Sequence, residues 1–170
     1  GSHAQMINQY RQLSKIYGNI VKLHNDYVDT LPVDDKFDLI LMHNSINHIG
    51  EDIIELVESN KEHWDQYLTR LEPVILRAKK GAHIVIADCS NKNFWNDLGM
   101  RNPLAPNIDW NLHHRPQVWR RMLKELGCSH SETRWTARRE FLAPGKIMLA
   151  NRFFNYFLGS HFVSVYKKCS

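Results

Sequence analysis

The side chains best able to do chemistry in this sequence gather in short polar clusters: Asp26-Tyr27, His43-Asn44-Ser45 running on to His48, Asp88-Cys89-Ser90, and His113-His114. An imidazole titrates near neutral pH, so His48 and His113 can each take a proton from a nucleophile at working pH. His48 equally suits a structural duty, satisfying a buried carbonyl. Asn44 and Ser45 suit ligand binding, and they equally suit ending a strand and capping the next helix. Asp26 and Tyr27 read either as ligand contacts or as a loop aspartate and a half-buried tyrosine. A metal centre is not expected. His43 and His48 do not share one helix face, and no cysteine-histidine pattern supports zinc.

Each cluster closes or follows an apolar run that can hold it in place. Phe37 to Met42 is apolar except for Asp38, as in a parallel strand buried on both faces, and His43 follows it directly. Ala82 to Ala87 is a second such run and ends in Asp88. Asn19 to His24 is a shorter strand pattern ending at Asn25 and Asp26. Ligands in parallel sheets sit beyond the carboxyl ends of the strands, which is where these clusters fall.

Helical patterns separate the runs. Met6, Tyr10, Leu13 and Tyr17 predict a helix over Ala4 to Tyr17, stopped by Gly18. Leu31 to Lys36 is a loop. A helix is expected from near Glu51, with Trp64, Tyr67, Leu68 and Leu71 as its later stripe and Pro73 breaking or restarting it. Lys79-Lys80-Gly81 reads as a helix end with a left-handed stop. Asn91 to Asn111 holds Pro103 and Pro106 and reads as a long connection with short helical turns. Pro116 to Leu126 is a helix with proline in its first turn and Gly127 after it. His130 to Thr136 and His161 to Lys167 are strands that can pair antiparallel at one edge; Ala137 to Gly159 gives no clear pattern. Alternating strands and helices imply a parallel α/β sheet.

Composition bounds the possibilities. With 43% hydrophobic and 24% charged residues, the chain has the make-up of a globular protein with a sizeable core. No apolar run is long enough to cross a membrane, so no membrane partner is expected. A net charge of +4 is too small to argue for nucleic acid by itself. The late basic residues, Arg115, Arg120, Arg121, Lys124, Arg134, Arg138 and Arg139, read first as a solvated face. Cys89, Cys128 and Cys169 are widely spaced and odd in number, which points to a reducing, cytoplasmic compartment. Gly1-Ser2-His3 reads as a tag remnant, leaving 4–170 as one domain.

In order, these elements resemble the later two-thirds of a class I, Rossmann-like S-adenosylmethionine-dependent methyltransferase. Phe37 to Ile49 resembles the family's fourth strand and the loop after it, and Gly81 to Asp88 its fifth strand. Pro116 to Gly127 with Cys128 to Thr136 resembles its late helix and sixth strand. His161 to Lys168 resembles its seventh, antiparallel strand, and Asn19 to Tyr27 its third. The resemblance implies that Asp26 and Tyr27 flank the adenine of the cofactor and that His43, Asn44 and Ser45 line its methionine side. His48, after the fourth strand, is then the first candidate to deprotonate the acceptor, and His113 and His114, just before the late helix, can reach the acceptor pocket.

The family's opening strand, glycine-rich loop and second strand have no counterpart in the sequence. The domain is therefore expected to be incomplete, with one side of Phe37 to Met42 left to a missing N-terminal segment, a partner chain or a second copy. The function implied is methyl transfer to an O, N or C nucleophile of a small molecule. The alternatives are a non-catalytic assembly module of the same fold, and an RNA methyltransferase that uses the late arginines against phosphates.

Overall fold

The sheet is built where β-branched and large apolar residues run together, and its helices where such residues recur every three or four positions. The computed structural model describes residues 36–136 and 150–169, with Asn8, Arg11, Gln12, Lys15 and Ile16. Residues 1–33 and 34–170 form two compact units. In the first, the described residues are helical and exposed, within the helix expected over Ala4 to Tyr17. The strand expected at Asn19 to His24, and with it Asp26 and Tyr27, lies outside the described residues.

In the second unit, strand β1 (Phe37–His43) leads through turns to helix α1 (Lys61–Leu76) and strand β2 (Ala78–Cys89). The short helix α2 (Phe94–Asp97) and helix α3 (Pro116–Glu125) follow, then strand β3 (Cys128–Trp135), helix α4 (Arg152–Leu158) and strand β4 (His161–Lys168). The four strands are ordered β1-β2-β4-β3. β1 and β2 are parallel, with Met42 opposite Ile86 and His43 opposite Ala87. β4 lies antiparallel between β2 and β3. The unit is thus a mixed α/β structure whose sheet is mostly antiparallel, not the parallel sheet expected from the alternation of strands and helices, because β4 enters between β2 and β3.

Asn60 starts α1 by accepting from the amides of Glu62 (2.8 Å) and His63 (3.3 Å), which otherwise have no acceptor in a first turn. Trp64, Tyr67, Leu71 and Ile75 form its buried stripe. Pro116 opens α3, and Val118, Trp119, Met122 and Leu123 form the buried stripe there. Both stripes meet Met42, Ile84, Ile86, Phe162 and Tyr166 in one core, so α1 and α3 cover the same face of the sheet.

The opposite face differs from expectation. β1 was expected to be buried on both faces, yet Leu39 and Leu41 are 58% and 62% exposed. Their neighbours Ile40 and Met42 point to the helices, and strand alternation sends Leu39 and Leu41 the other way. Leu41 lies opposite Val85, and Val85 opposite Val165, so an apolar row crosses three strands on that face.

Other local expectations are corrected. Helix does not begin near Glu51; single 3-10 turns at Ile46–Gly50 and Ile54–Leu56 precede α1. Pro73 does not break α1, which continues to Leu76. It removes one backbone hydrogen bond near the helix end, while Leu71 and Ile75 on either side stay fully packed. Lys79-Lys80-Gly81 is not a helix stop but the irregular start of β2. The register slips there, Phe37 facing Ala78 and Leu39 facing His83, and Gly81 takes φ +83°. The stretch without a clear pattern contains α4, capped by Asn151, whose side chain accepts from the Phe153 amide at 2.7 Å.

Candidate functional site

The carboxyl ends of β1 and β2 stand side by side because the two strands are parallel and in register. The Asn44 amide donates to the Ala87 carbonyl at 2.8 Å, tying the chain leaving β1 to the end of β2. Asn44 then turns through φ +47°, a left-handed conformation that asparagine tolerates better than most residues. Ser45 precedes the turn Ile46–Gly50 and gives it no side-chain cap. Two buried contacts hold this turn. Tyr67 of α1 donates its hydroxyl to the Ile46 carbonyl. Gly50 packs so close to the Tyr67 ring that an added Cβ would lie 3.1 Å from it.

His43, Asn44, Ser45 and His48 are thereby brought to one loop, with exposed side chains. His48 does not serve a buried carbonyl. Its Nδ1 pairs with the Glu51 carboxylate at the surface.

The buried part of the site lies one strand over. Asp88, near the end of β2, is 2% exposed. Its Oδ1 accepts from the Cys89 amide at 2.7 Å and from His113 Nδ1 at 3.0 Å. Its Oδ2 is buried with no hydrogen-bond partner among the described residues, as is Asn47 Oδ1 in the turn after β1. Burial, and next the charge of Asp88, push the Tyr67 phenol well above its ordinary range, so it remains a donor. The turn Trp110–Leu112 delivers His113, its first free amide being capped by Asp109 at 3.1 Å. With Nδ1–H committed to Asp88, Nε2 is the basic nitrogen of His113.

His114 turns away from this pair. Its Nε2 donates to the Ile54 carbonyl at 2.7 Å and its Nδ1 lies 3.2 Å from Glu58, fixing the Ile54–Leu56 turn. Burial would raise the Glu58 carboxyl, but a hydrogen bond and charge from Arg115, then contacts with His114, hold it below the ordinary carboxylate range.

The structure thus joins His113 to Asp88 and keeps His48 on the neighbouring loop. The Asp88–His113 pairing was not legible in the sequence, since the partners are separated by the long connection; the only signal was an acidic residue closing an apolar run. Among the described residues, no group of three or more histidine, cysteine, aspartate or glutamate side chains is placed to hold a metal. No described helix is long and apolar enough to cross a membrane.

No protein-family model matches the chain, and no curated protein matches it. Solved structures do. An S-adenosylmethionine-dependent methyltransferase from Archaeoglobus fulgidus is similar with a TM-score of 0.51 and 13% identity, over 95% of this chain and 81% of that one. A possible exported protein from Bordetella parapertussis is similar with a TM-score of 0.51 and 11% identity, over 99% of this chain. The chain spans about half of that protein, 51% of its length. At such identities the likeness concerns the fold alone: a mixed α/β arrangement shared with a methyltransferase.

Proposed function

We propose that this chain carries the acceptor side of a Rossmann-like methyltransferase site and transfers a methyl group from S-adenosylmethionine to an O, N or C nucleophile of a small molecule. The observation that carries the reading is the Asp88–His113 pair, a buried carboxylate holding an imidazole by Nδ1 at 3.0 Å beside the carboxyl end of a parallel strand. A carboxylate in that position fixes the tautomer that leaves Nε2 basic and stabilises the imidazolium formed on proton uptake. The order β1-β2-β4-β3, with its antiparallel insertion, agrees with the fourth, fifth, seventh and sixth strands of that family.

The residues at the strand ends fit the cofactor. Asp88 Oδ2 and Asn47 Oδ1 are buried acceptors with no hydrogen-bond partner among the described residues, which agrees with a ligand that donates from an ammonium or amine. Asn44 and Ser45 add exposed polar groups beside them, with His43 at the end of β1. When bound, S-adenosylmethionine supplies an electrophilic methyl whose bonding pair stays with sulfur. The chain's part is to orient the acceptor and to receive its proton, at Nε2 of His113 or at His48.

Transfer of labelled methyl to candidate acceptors tests the reading. Replacing a general base lowers turnover by about two to four orders of magnitude, and His113→Ala is expected to do so. A loss under about threefold, with the melting transition intact, removes His113 from the chemistry.

A second reading, an assembly module, draws on the sheet face that carries the exposed Leu39 and Leu41. Detectable methyl transfer by the chain, alone or with a completing partner, decides against it.

A further inference from the structure

Beyond the carboxyl end of β2, a cavity of about 210 Å³ opens beside Ser90, lined by Lys92, Arg115, Trp135, Arg152 and Tyr156. These residues come from separate elements: Lys92 from the chain leaving β2, Arg115 from the N-cap of α3, Trp135 from the end of β3, and Arg152 and Tyr156 from α4. Pro116 and Gln117, the first residues of α3, complete that wall, so the positive end of the helix adds to the cations.

The charges are unequally satisfied. Lys92 pairs with Asp97 at 2.9 Å, and Tyr156 donates to the same carboxylate at 2.8 Å. Arg115 pairs with Glu58 at 2.7 Å. Arg152 has no carboxylate partner among the described residues. Among the described residues the cavity therefore has about one unpaired positive charge, and the half-buried Trp135 and Tyr156 line it too. Trp135 is braced edge-on against Phe162 at 6.1 Å, and Tyr156 against Phe157 at 5.0 Å.

We infer that this cavity binds a small aromatic anion and presents it as the methyl acceptor. The acceptor role rests on the methyl-transfer reading; the binding does not. Trp135 and Tyr156 both line the cavity and offer apolar contact to a ring, and a carboxylate or phosphate group on that ring meets Arg152, a guanidinium suited to forked hydrogen bonding with either. The volume is below the ~300–1,000 Å³ of drug-sized sites, which fits a one-ring molecule. A polynucleotide would need a run of unpaired cations along an open surface, whereas Lys92 and Arg115 are committed to carboxylates of this chain.

Calorimetric titration of the full chain with 4-hydroxybenzoate, phenyl phosphate and a single-stranded RNA oligonucleotide tests this. Saturable binding of at least one small anion is expected, weakened about tenfold or more by Arg152→Gln, since a charge-assisted contact is lost. The carboxylate and phosphate arms show which anionic group is taken. Lys79→Gln, at a surface pair with Asp38 outside the cavity, should leave binding unchanged. A matched melting curve for Arg152→Gln, with Arg152→Lys retaining part of the affinity, excludes unfolding as the cause. Binding of neither anion, binding indifferent to Arg152→Gln, or tighter binding of the RNA would overturn the inference. If binding holds but the bound hydroxybenzoate is not methylated at saturating S-adenosylmethionine, the acceptor role is overturned, while the methyl-transfer reading is decided by the labelled-methyl assay with other acceptors.

Discussion

His113 and Asp88 are joined at 3.0 Å through Nδ1 and Oδ1, and Asp88 is buried while its second oxygen has no partner among the described residues. The pair is specific in what it asks of residue 88. An asparagine would keep the size but can present its NH₂ to Nδ1, favouring the tautomer whose proton sits on Nε2 and removing the basic site. Asp88→Asn is therefore expected to lose turnover on the scale of His113→Ala, about two to four orders of magnitude, with little change in acceptor affinity. Steady-state kinetics on both variants check this. Wild-type turnover in Asp88→Asn would leave the pair a packing feature.

His48 offers a contrasting case. Its side chain is 54% exposed, and its Glu51 partner is 53% exposed. A pair so open to water gains little from its charge, and its geometry is weakly held. His48→Ala is accordingly expected to lower turnover less than His113→Ala. The reverse order, measured with one acceptor under one set of conditions, would move the base to the β1 loop.

The strand pattern was legible because apolar runs and their polar ends mark strands directly. Phe37 to Met42 and Ala82 to Ala87 fall within β1 and β2, and the late helix at Pro116 is bounded by proline and glycine as read. What was not legible depended on long-range contact. The exposure of Leu41 is decided by which sheet face the helices choose, and a continuous apolar run carries no sign of that choice. Pro73 reads locally as a breaker but sits where packing of Leu71 and Ile75 outweighs one lost hydrogen bond. The cavity beside Ser90 escaped for a similar reason: Arg115 looked like part of a solvated basic face, and Arg152 lay in a stretch without a period.

Cofactor affinity should be low in the chain alone. The glycine-rich turn and ribose-binding acid that the resemblance calls for have no counterpart in the sequence. Hydrogen bonds to charged groups contribute roughly 1.5–3 kcal/mol each, so lacking two or three weakens binding by orders of magnitude. Calorimetric titration with S-adenosylmethionine should show at most millimolar binding. Micromolar affinity would mean that residues of this chain supply the missing contacts.

The apolar row Leu41-Val85-Val165 bears on assembly. Leu39 and Leu41 expose more than half their surface on the face opposite α1 and α3, and β1 is the outer strand among the described residues. Burying apolar surface is worth about 25 cal/mol per Å², so covering two leucines and their neighbours favours association by several kcal/mol before its entropic costs. An outer strand with free backbone groups also invites pairing with another chain. The chain is therefore expected to associate, with a completing polypeptide or with a second copy. Size exclusion with light scattering at low micromolar concentration should give a mass above that of one chain. Leu39→Lys with Leu41→Glu should return it to a monomer and leave the melting transition in place, since neither side chain belongs to the buried core. A cooperative monomer in the unsubstituted chain would show that the exposed row does not pair two copies of this chain.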